Sequence, residues 1–429
     1  MKSLSKYALL GALWLSALSA CQNTNSPNPD GSNGGLRTLS APTANELSNL
    51  RDSELPEANT RFALKLFQDL VSQSPRENLF VSPLSVSIAL SMLYNGASGE
   101  TQQEMAKALE YTGLDLKDTV NQGHLSLRKR LQNQGKGVEV LLANALWGPT
   151  GLSLQDGFAQ ANKAYYDAAL EGLPFGSPSA VERINRWASD NTRGLIPKVI
   201  EEIDPNTILL LMNAIYFKGD WSTPFEANQT ESRAFYKADE TQEDQAIMHH
   251  YDKWRYGEVD GTQVVSLPYG EAERTEMLAF MPPKGTELAT WIAELDSARW
   301  QTLMNSLRTR DGRVGLPKFK LSNNLPLNDT LKRLGMAQAF SEIDADFGAL
   351  LPPSSSLKPY VSGVKQDAVI EVNEKGTEAA AVTTITVGAT SVQLPQEPFE
   401  MIMDRPFMYA IYDRDTESIL FMGAFNDPQ

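Results

Sequence analysis

Cysteine is almost missing from this chain. Of 429 residues only Cys21 is one, so no disulfide can close within the molecule and its stability has to come from packing. Histidine is nearly as scarce, with three residues, His124, His249 and His250. The adjacent pair lacks the i, i+4 spacing of a helical zinc site. It reads as loop or strand-end histidines, so no metal and no cofactor is expected. No Gly-x-Ser-x-Gly elbow occurs. With so little histidine, that argues against a secreted hydrolase, and the chain is not expected to be an enzyme. Positive charge is in deficit too: 38 Lys and Arg against 53 Asp and Glu leave a net −15, which excludes nucleic-acid binding through a basic surface. The one compact basic cluster, Arg128-Lys129-Arg130, lies between Leu127 and Leu131 and reads as the wet side of an amphipathic helix.

Long apolar runs are also lacking. The run from Tyr7 to Ala20, behind Lys2 and Lys6, is too short to span a bilayer but suits the apolar region of a signal peptide. It ends in Leu18-Ser19-Ala20-Cys21, which resembles a bacterial lipobox, so residues 1–20 are expected to be removed and Cys21 lipidated. Alkyl chains there would anchor the chain to a membrane. Gln22, where an aspartate commonly retains lipoproteins at the inner membrane, favours an exported protein at an outer membrane or cell surface. Secretion remains open. Residues 23–52 are rich in Asn, Ser, Pro and Gly, and 21–54 reads as a lipidated cysteine plus flexible tether.

From Leu55 on the composition is globular, with no second linker and no internal repeat, so 55–429 reads as one domain. Hydrophobic residues make up 41% of the chain, enough for a large core. Asn59-Thr60 reads as the cap of a helix through Arg61–Phe67. Ser82-Pro83 opens another from Val86 to Tyr94, closed by Asn95-Gly96. Thr101–Glu110, Val181–Thr192 and Leu325–Leu334 follow as helices. Val138–Trp147, Ile208–Lys218, Thr275–Met281 and Gly312–Leu321 read as strands. So do Val369–Val372, Met401–Met403, Phe407–Tyr412 and Ile419–Met422. Helices dominate early and strands late, which makes this an α+β chain with large antiparallel sheets.

Four blocks then match one pattern. They are Asn78-Leu79-Phe80-Val81-Ser82-Pro83-Leu84-Ser85, Asn213-Ala214-Ile215-Tyr216-Phe217-Lys218-Gly219-Asp220-Trp221, Val372-Asn373-Glu374-Lys375-Gly376-Thr377-Glu378-Ala379-Ala380-Ala381, and Asp404-Arg405-Pro406-Phe407 with Ile419-Leu420-Phe421-Met422-Gly423. In this order and spacing the chain resembles a serpin from about residue 55 to its end. The resemblance implies three β-sheets, eight or nine helices and an exposed reactive-centre loop, here about 374–398. It implies a monomer whose partner is a target serine protease, held covalently as an acyl-enzyme while the cut loop inserts into a sheet.

The loop suits that role chemically. Gly376 supplies a hinge. Thr377, Glu378, Ala379, Ala380 and Ala381 follow, and no charged residue stands between Glu378 and Glu397. Strand alternation puts Thr377, Ala379, Ala381, Thr383, Ile385 and Val387 on one face, all able to be buried. An ordinary hairpin fits the alanine run less well. A non-inhibitory serpin would commonly carry bulky, charged or proline residues in the hinge, and this one has none. Counting sixteen residues from Glu374, as the family does, sets the scissile bond at Thr390-Ser391. A small uncharged residue there fits elastase- or subtilisin-like proteases and not a trypsin-like pocket. Registers at Ser391, Val392 or Leu394 stay open, the last disfavoured by Pro395. By the same resemblance, Ser82, Ser85 and Asn213 form a polar gate under the main sheet. Gln366 stands where the family commonly has histidine, which leaves the gate's pH dependence open. Trp221 and a Glu374–Lys318 ion pair would sit where insertion begins.

Overall fold

The computed structural model describes residues 39–194, 196–204, 207–239, 241–377 and 397–428. The signal peptide, Cys21, Glu378, Ala379, Ala380, Ala381, Thr390 and Ser391 lie outside the described residues.

Ten α-helices occur among the described residues: α1 (Ala44–Asp52), α2 (Leu55–Gln73), α3 (Pro83–Tyr94), α4 (Gly99–Ala108), α5 (Gln122–Leu131), α6 (Asp156–Tyr166), α7 (Pro178–Asn191), α8 (Leu288–Ala293), α9 (Ser297–Ser306) and α10 (Asn328–Arg333). The strands form two hydrogen-bonded sheets. The larger runs β1 (Leu79–Val81), β15 (Ser418–Phe425), β14 (Phe407–Asp413), β8 (Thr275–Met281), β7 (Thr262–Tyr269), β6 (Gln242–Val259), β9 (Arg308–Pro317), β13 (Phe399–Ile402), with β5 (Thr230–Tyr236) also on β6. The smaller runs β10 (Phe319–Pro326), β11 (Lys365–Asn373), β12 (Gly376–Thr377), β4 (Leu210–Asp220), β2 (Val138–Pro149), β3 (Ala169–Leu173). The three sheets expected from the sequence reduce to two networks because one strand serves twice. The 18-residue β6 pairs with β5 at its start, with β9 along its middle and with β7 at its end.

The helix α3 lies between the two sheets, against β4 and β15. Leu84, Ile88, Leu90 and Met92 are all buried, the all-round burial expected of a helix inside a core. Each such side chain contributes about 1.5–3 kcal/mol on leaving water. Ser82 caps α3 as the sequence implies, its Oγ accepting from the Ser85 amide at 3.2 Å.

Several expectations need correction. Residues 44–52 are not tether but α1. Thr43 and Glu46 form a reciprocal capping box, and Glu46 pairs with Lys129 of α5 at 2.6 Å. Asn59 and Thr60 cap nothing: α2 starts at Leu55, with a proline in its first turn, and both residues are buried within it. Gly312–Leu321 is two strands in two sheets, broken at Lys318. The residues Leu325 and Pro326 belong to β10, and α10 starts three residues after Leu325. His249 and His250 lie inside β6, not at a strand end. No group of His, Cys, Asp or Glu among the described residues is arranged to hold a metal, and no described helix is long and apolar enough to cross a membrane.

The basic cluster is the largest departure. Arg128 and Arg130 face inward at 1% and 2% exposure. Arg130 reaches Asp413 at 3.2 Å and Asp415 at 3.0 Å. Asp413 is fully buried and also accepts from the Gln134 amide, the Thr416 backbone N–H and the Thr416 hydroxyl. The periodicity was legible, but the acidic partners sit some 280 residues away in sequence, where no local pattern points to them.

His124 is buried on α5, its Nε2 3.0 Å from the Tyr111 hydroxyl and 3.2 Å from Ser91 Oγ. Loss of solvent, and then the nearby Arg128 charge, push its pKa down to about 3. The unfolded chain therefore takes up a proton near pH 6.5 that the folded chain refuses. Stability falls as pH drops from about 6.5 toward 3, by about 1.4 kcal/mol per pH unit. His124→Gln should flatten the melting-temperature profile between pH 4 and 6 relative to the parent. Parallel profiles would show that His124 does not carry the effect.

Candidate functional site

Two polar clusters, about 20 Å apart along β4, hold the residues singled out in the sequence. The lower one starts at the α3 cap. Ser82 Oγ donates to the Leu420 carbonyl at 2.7 Å. Gln366 on β11 clasps the Ser82 backbone twice: the Ser82 N–H donates to Oε1 at 2.8 Å, and Nε2 donates to the Ser82 carbonyl at 3.0 Å. Ser85 Oγ donates to Asn213 Oδ1 on β4. Asn213 Nδ2 then donates to Asn144 Oδ1 on β2 at 2.6 Å, and Asn144 Nδ2 to the Tyr166 carbonyl at 2.7 Å. Buried groups of this kind hold their positions only while every partner is present. β11 is thus fastened to α3 by one amide, and β4 by another. Asn144 was missed in the sequence, although a lone amide inside the apolar run Val138–Trp147 is a signal of a buried network.

The upper cluster surrounds the turn after β11. Lys318 and Glu374 pair at 3.0 Å, and Thr230 Oγ1 donates to the same carboxylate at 2.9 Å. Partial burial alone would raise the Glu374 pKa, but hydrogen bonds from Lys318, its own backbone and Thr230 outweigh it and hold the carboxyl below its ordinary value. The exposed lysine limits this pair to about 1 kcal/mol or less. Trp221 is buried, not a surface residue, and stacks on Tyr269 with centroids 4.3 Å apart. Its indole N–H donates to the Asn373 carbonyl and its backbone N–H to that of Lys375, both at 2.9 Å. Gly376 is more than a flexible point. Its φ is +153°, and a Cβ there would lie 2.1 Å from the Gly219 carbonyl oxygen, so no other residue fits.

The strand β12 sits between β11 and β4. Thr377 pairs with Val372 on one side and Gly219 on the other, antiparallel to both. Among the described residues β4 and β11 have no ladder with each other. Below β12, between their lower halves and above α3, lies an open cleft lined by Leu90, Leu93, Leu209, Leu211, Phe347 and Val364, with Ser85, Asn213 and Gln366 at its polar margin. The arrangement offers unfilled space for a strand between two strands, floored by apolar side chains and fastened by two amides. Glu374, Gly376 and Thr377, expected from the sequence to form the hinge, lie at its upper end.

The sequence profile described as Serpin (serine protease inhibitor) matches residues 57–428. The chain is 35% identical over 381 residues to Iripin-2 of Ixodes ricinus, covering 87% of this chain and 94% of that one. It is 32% identical to the leukocyte elastase inhibitor of Bos taurus, covering 87% of this chain and all of that one. Among solved structures, the thermophilic serpin tengpin in its native state superposes with a TM-score of 0.79 at 28% identity, over 91% of this chain and 96% of tengpin. Sheet arrangement and sequence agree: the chain belongs to the serpin family of serine protease inhibitors, which are not catalysts.

Proposed function

We propose that this chain is an irreversible suicide-substrate inhibitor of elastase- or subtilisin-like serine proteases. It is cut between Thr390 and Ser391, traps the acyl-enzyme, and inserts the severed segment as a strand between β4 and β11. One observation carries the reading: the strand has already begun, and its register runs into the cleft. Thr377 lies opposite Gly219 and Val372. Continued six residues further at that register, Thr383 would come opposite Asn213 and Gln366. Ile385 would then come opposite Leu211 and Val364, and Val387 opposite Leu209 and Ser362, all residues lining the cleft. The inward face of the segment is small or β-branched throughout, and each Val or Ile buried adds about 1.5–3 kcal/mol. This free energy, released only after cleavage, deforms the attached protease before water can free it. The resemblance to leukocyte elastase inhibitor and the small residue before the cut favour the elastase-like class.

The same reading covers location: an exported monomer held by acyl chains on Cys21 at an outer membrane or cell surface, or secreted. Incubation with an elastase-like enzyme tests both parts. A detergent-resistant adduct is expected, with a small fragment starting at Ser391 and an acylated mature N-terminus at Cys21 in the same mass spectrum. Cleavage without adduct would overturn the inhibitory reading. A fragment starting before Thr386 would overturn the register, and an unmodified Cys21 the anchor.

A further inference from the structure

The inserted pair of residues is held by a contact to which no role has yet been given. Tyr269, at the end of β7, is 1% exposed, and its hydroxyl lies 2.7 Å from Thr377 Oγ1, itself in a residue 2% exposed. Burial pushes the Tyr269 phenol far above its ordinary pKa, so the pair remains a neutral hydroxyl–hydroxyl bond throughout the working pH range. The tyrosine ring is fixed on two sides. Trp221 stacks on one face at 4.3 Å, and Phe217 meets it edge-on at 5.1 Å. A Cβ on Gly219 would come 2.6 Å from the ring, so the strand opposite Thr377 needs a glycine to let the phenol reach the hinge.

We propose that Tyr269 is the positioning residue that docks the hinge before cleavage. By bonding Thr377 it keeps the first turn of the entering strand in register, so that insertion extends a strand already begun. The inference rests on the inhibitory reading above and deepens it. Two features of the site support the assignment. The position selects its side chain, since Thr377 combines a hydroxyl with a β-branched body that fills the space between β4 and β11. The neighbouring clasps, Trp221 to Asn373 and Lys375 and Phe225 to the Glu374 carbonyl, all hold backbone before Gly376. Among the described contacts, the hydroxyl pair is the side-chain bond made by a residue of β12 itself.

In a serpin reaction, insertion competes with release of the protease. The stoichiometry of inhibition minus one therefore measures release rate over insertion rate. Losing one buried hydrogen bond that docks the hinge should raise this quantity about fivefold. The test uses the full chain with Tyr269→Phe, Thr377→Val and Thr377→Ser. Backbone hydrogen exchange at residues 376–377 of the uncut protein reads docking whether or not the chain traps a protease. Protection should fall about fivefold in the first two variants and hold in the third. The stoichiometry with an elastase-like enzyme should follow the same order. Unchanged exchange in Tyr269→Phe and Thr377→Val would overturn the docking. Lost protection, or a lower melting temperature, with unchanged stoichiometry would reduce the pair to a structural contact and overturn its role. A parent chain that is cut but never trapped would refute the inhibitory reading and with it the positioning role in inhibition; exchange would then decide docking alone.

Discussion

Replacing Thr383 by arginine should leave the uncut protein melting within about a degree of the parent while abolishing the covalent adduct. Continued beyond Thr377, the register of β12 would bring residue 383 between Asn213 and Gln366 on insertion. There the inward side chain meets the buried Ser85–Asn213–Asn144 chain of amides and a hydroxyl, which holds no carboxylate. Burying a guanidinium without a counter-ion costs about 3–5 kcal/mol, which slows insertion by a factor of roughly a hundred or more. The protease then escapes at every turnover, and the inhibitor becomes a substrate. Thr383→Val, similar in volume and uncharged, should retain trapping. Gel analysis of adduct against cleaved chain reads both variants. An adduct in the arginine variant at parental yield would show that residue 383 does not pass the gate.

The second large effect lies far from the loop. Asp413→Ala should lower stability by about 3 kcal/mol, because it removes the fully buried one of the two carboxylates on the Arg130 guanidinium and leaves only the part-exposed Asp415. It also leaves the Gln134 amide and both Thr416 donors without the carboxylate they share. A lower urea midpoint and melting temperature would report this. Removing both charges, with Arg130→Met and Asp413→Leu together, should recover most of the loss, since a packed apolar pair often matches a buried ion pair. A double variant no better than the single one would place the stabilisation in the surrounding hydrogen bonds and not in the charges.

How much of this was legible before the structure depends on how far each residue's partner lies along the chain. The α3 cap at Ser82-Pro83 was readable because cap and helix are neighbours, and Thr275–Met281 because a buried strand announces itself by an unbroken apolar run. The Lys318–Glu374 pair and the grouping of Ser85 with Asn213 were reached through resemblance, and both contacts are present. The break at Lys318 was not readable. Residues Gly312–Leu321 are uniformly strand-like, and what divides them is which of two sheets each half joins. Arg130 misled for the same reason: an amphipathic pattern tells which side is charged, but not whether acidic groups from β14 and its turn wait there. Tyr269 carried no signal at all, being one aromatic in an apolar strand until β12 is laid beside it.

The amide of Gln366 has a consequence for when the molecule acts. An imidazole in that position would gain and lose a proton near neutrality, and the grip on the α3 cap would tighten or slacken with its surroundings. A carboxamide has no such proton. Bound at both ends to the Ser82 backbone, it keeps the same two hydrogen bonds in sour and neutral fluids alike, so acid alone does not loosen β11 from the α3 cap at this point.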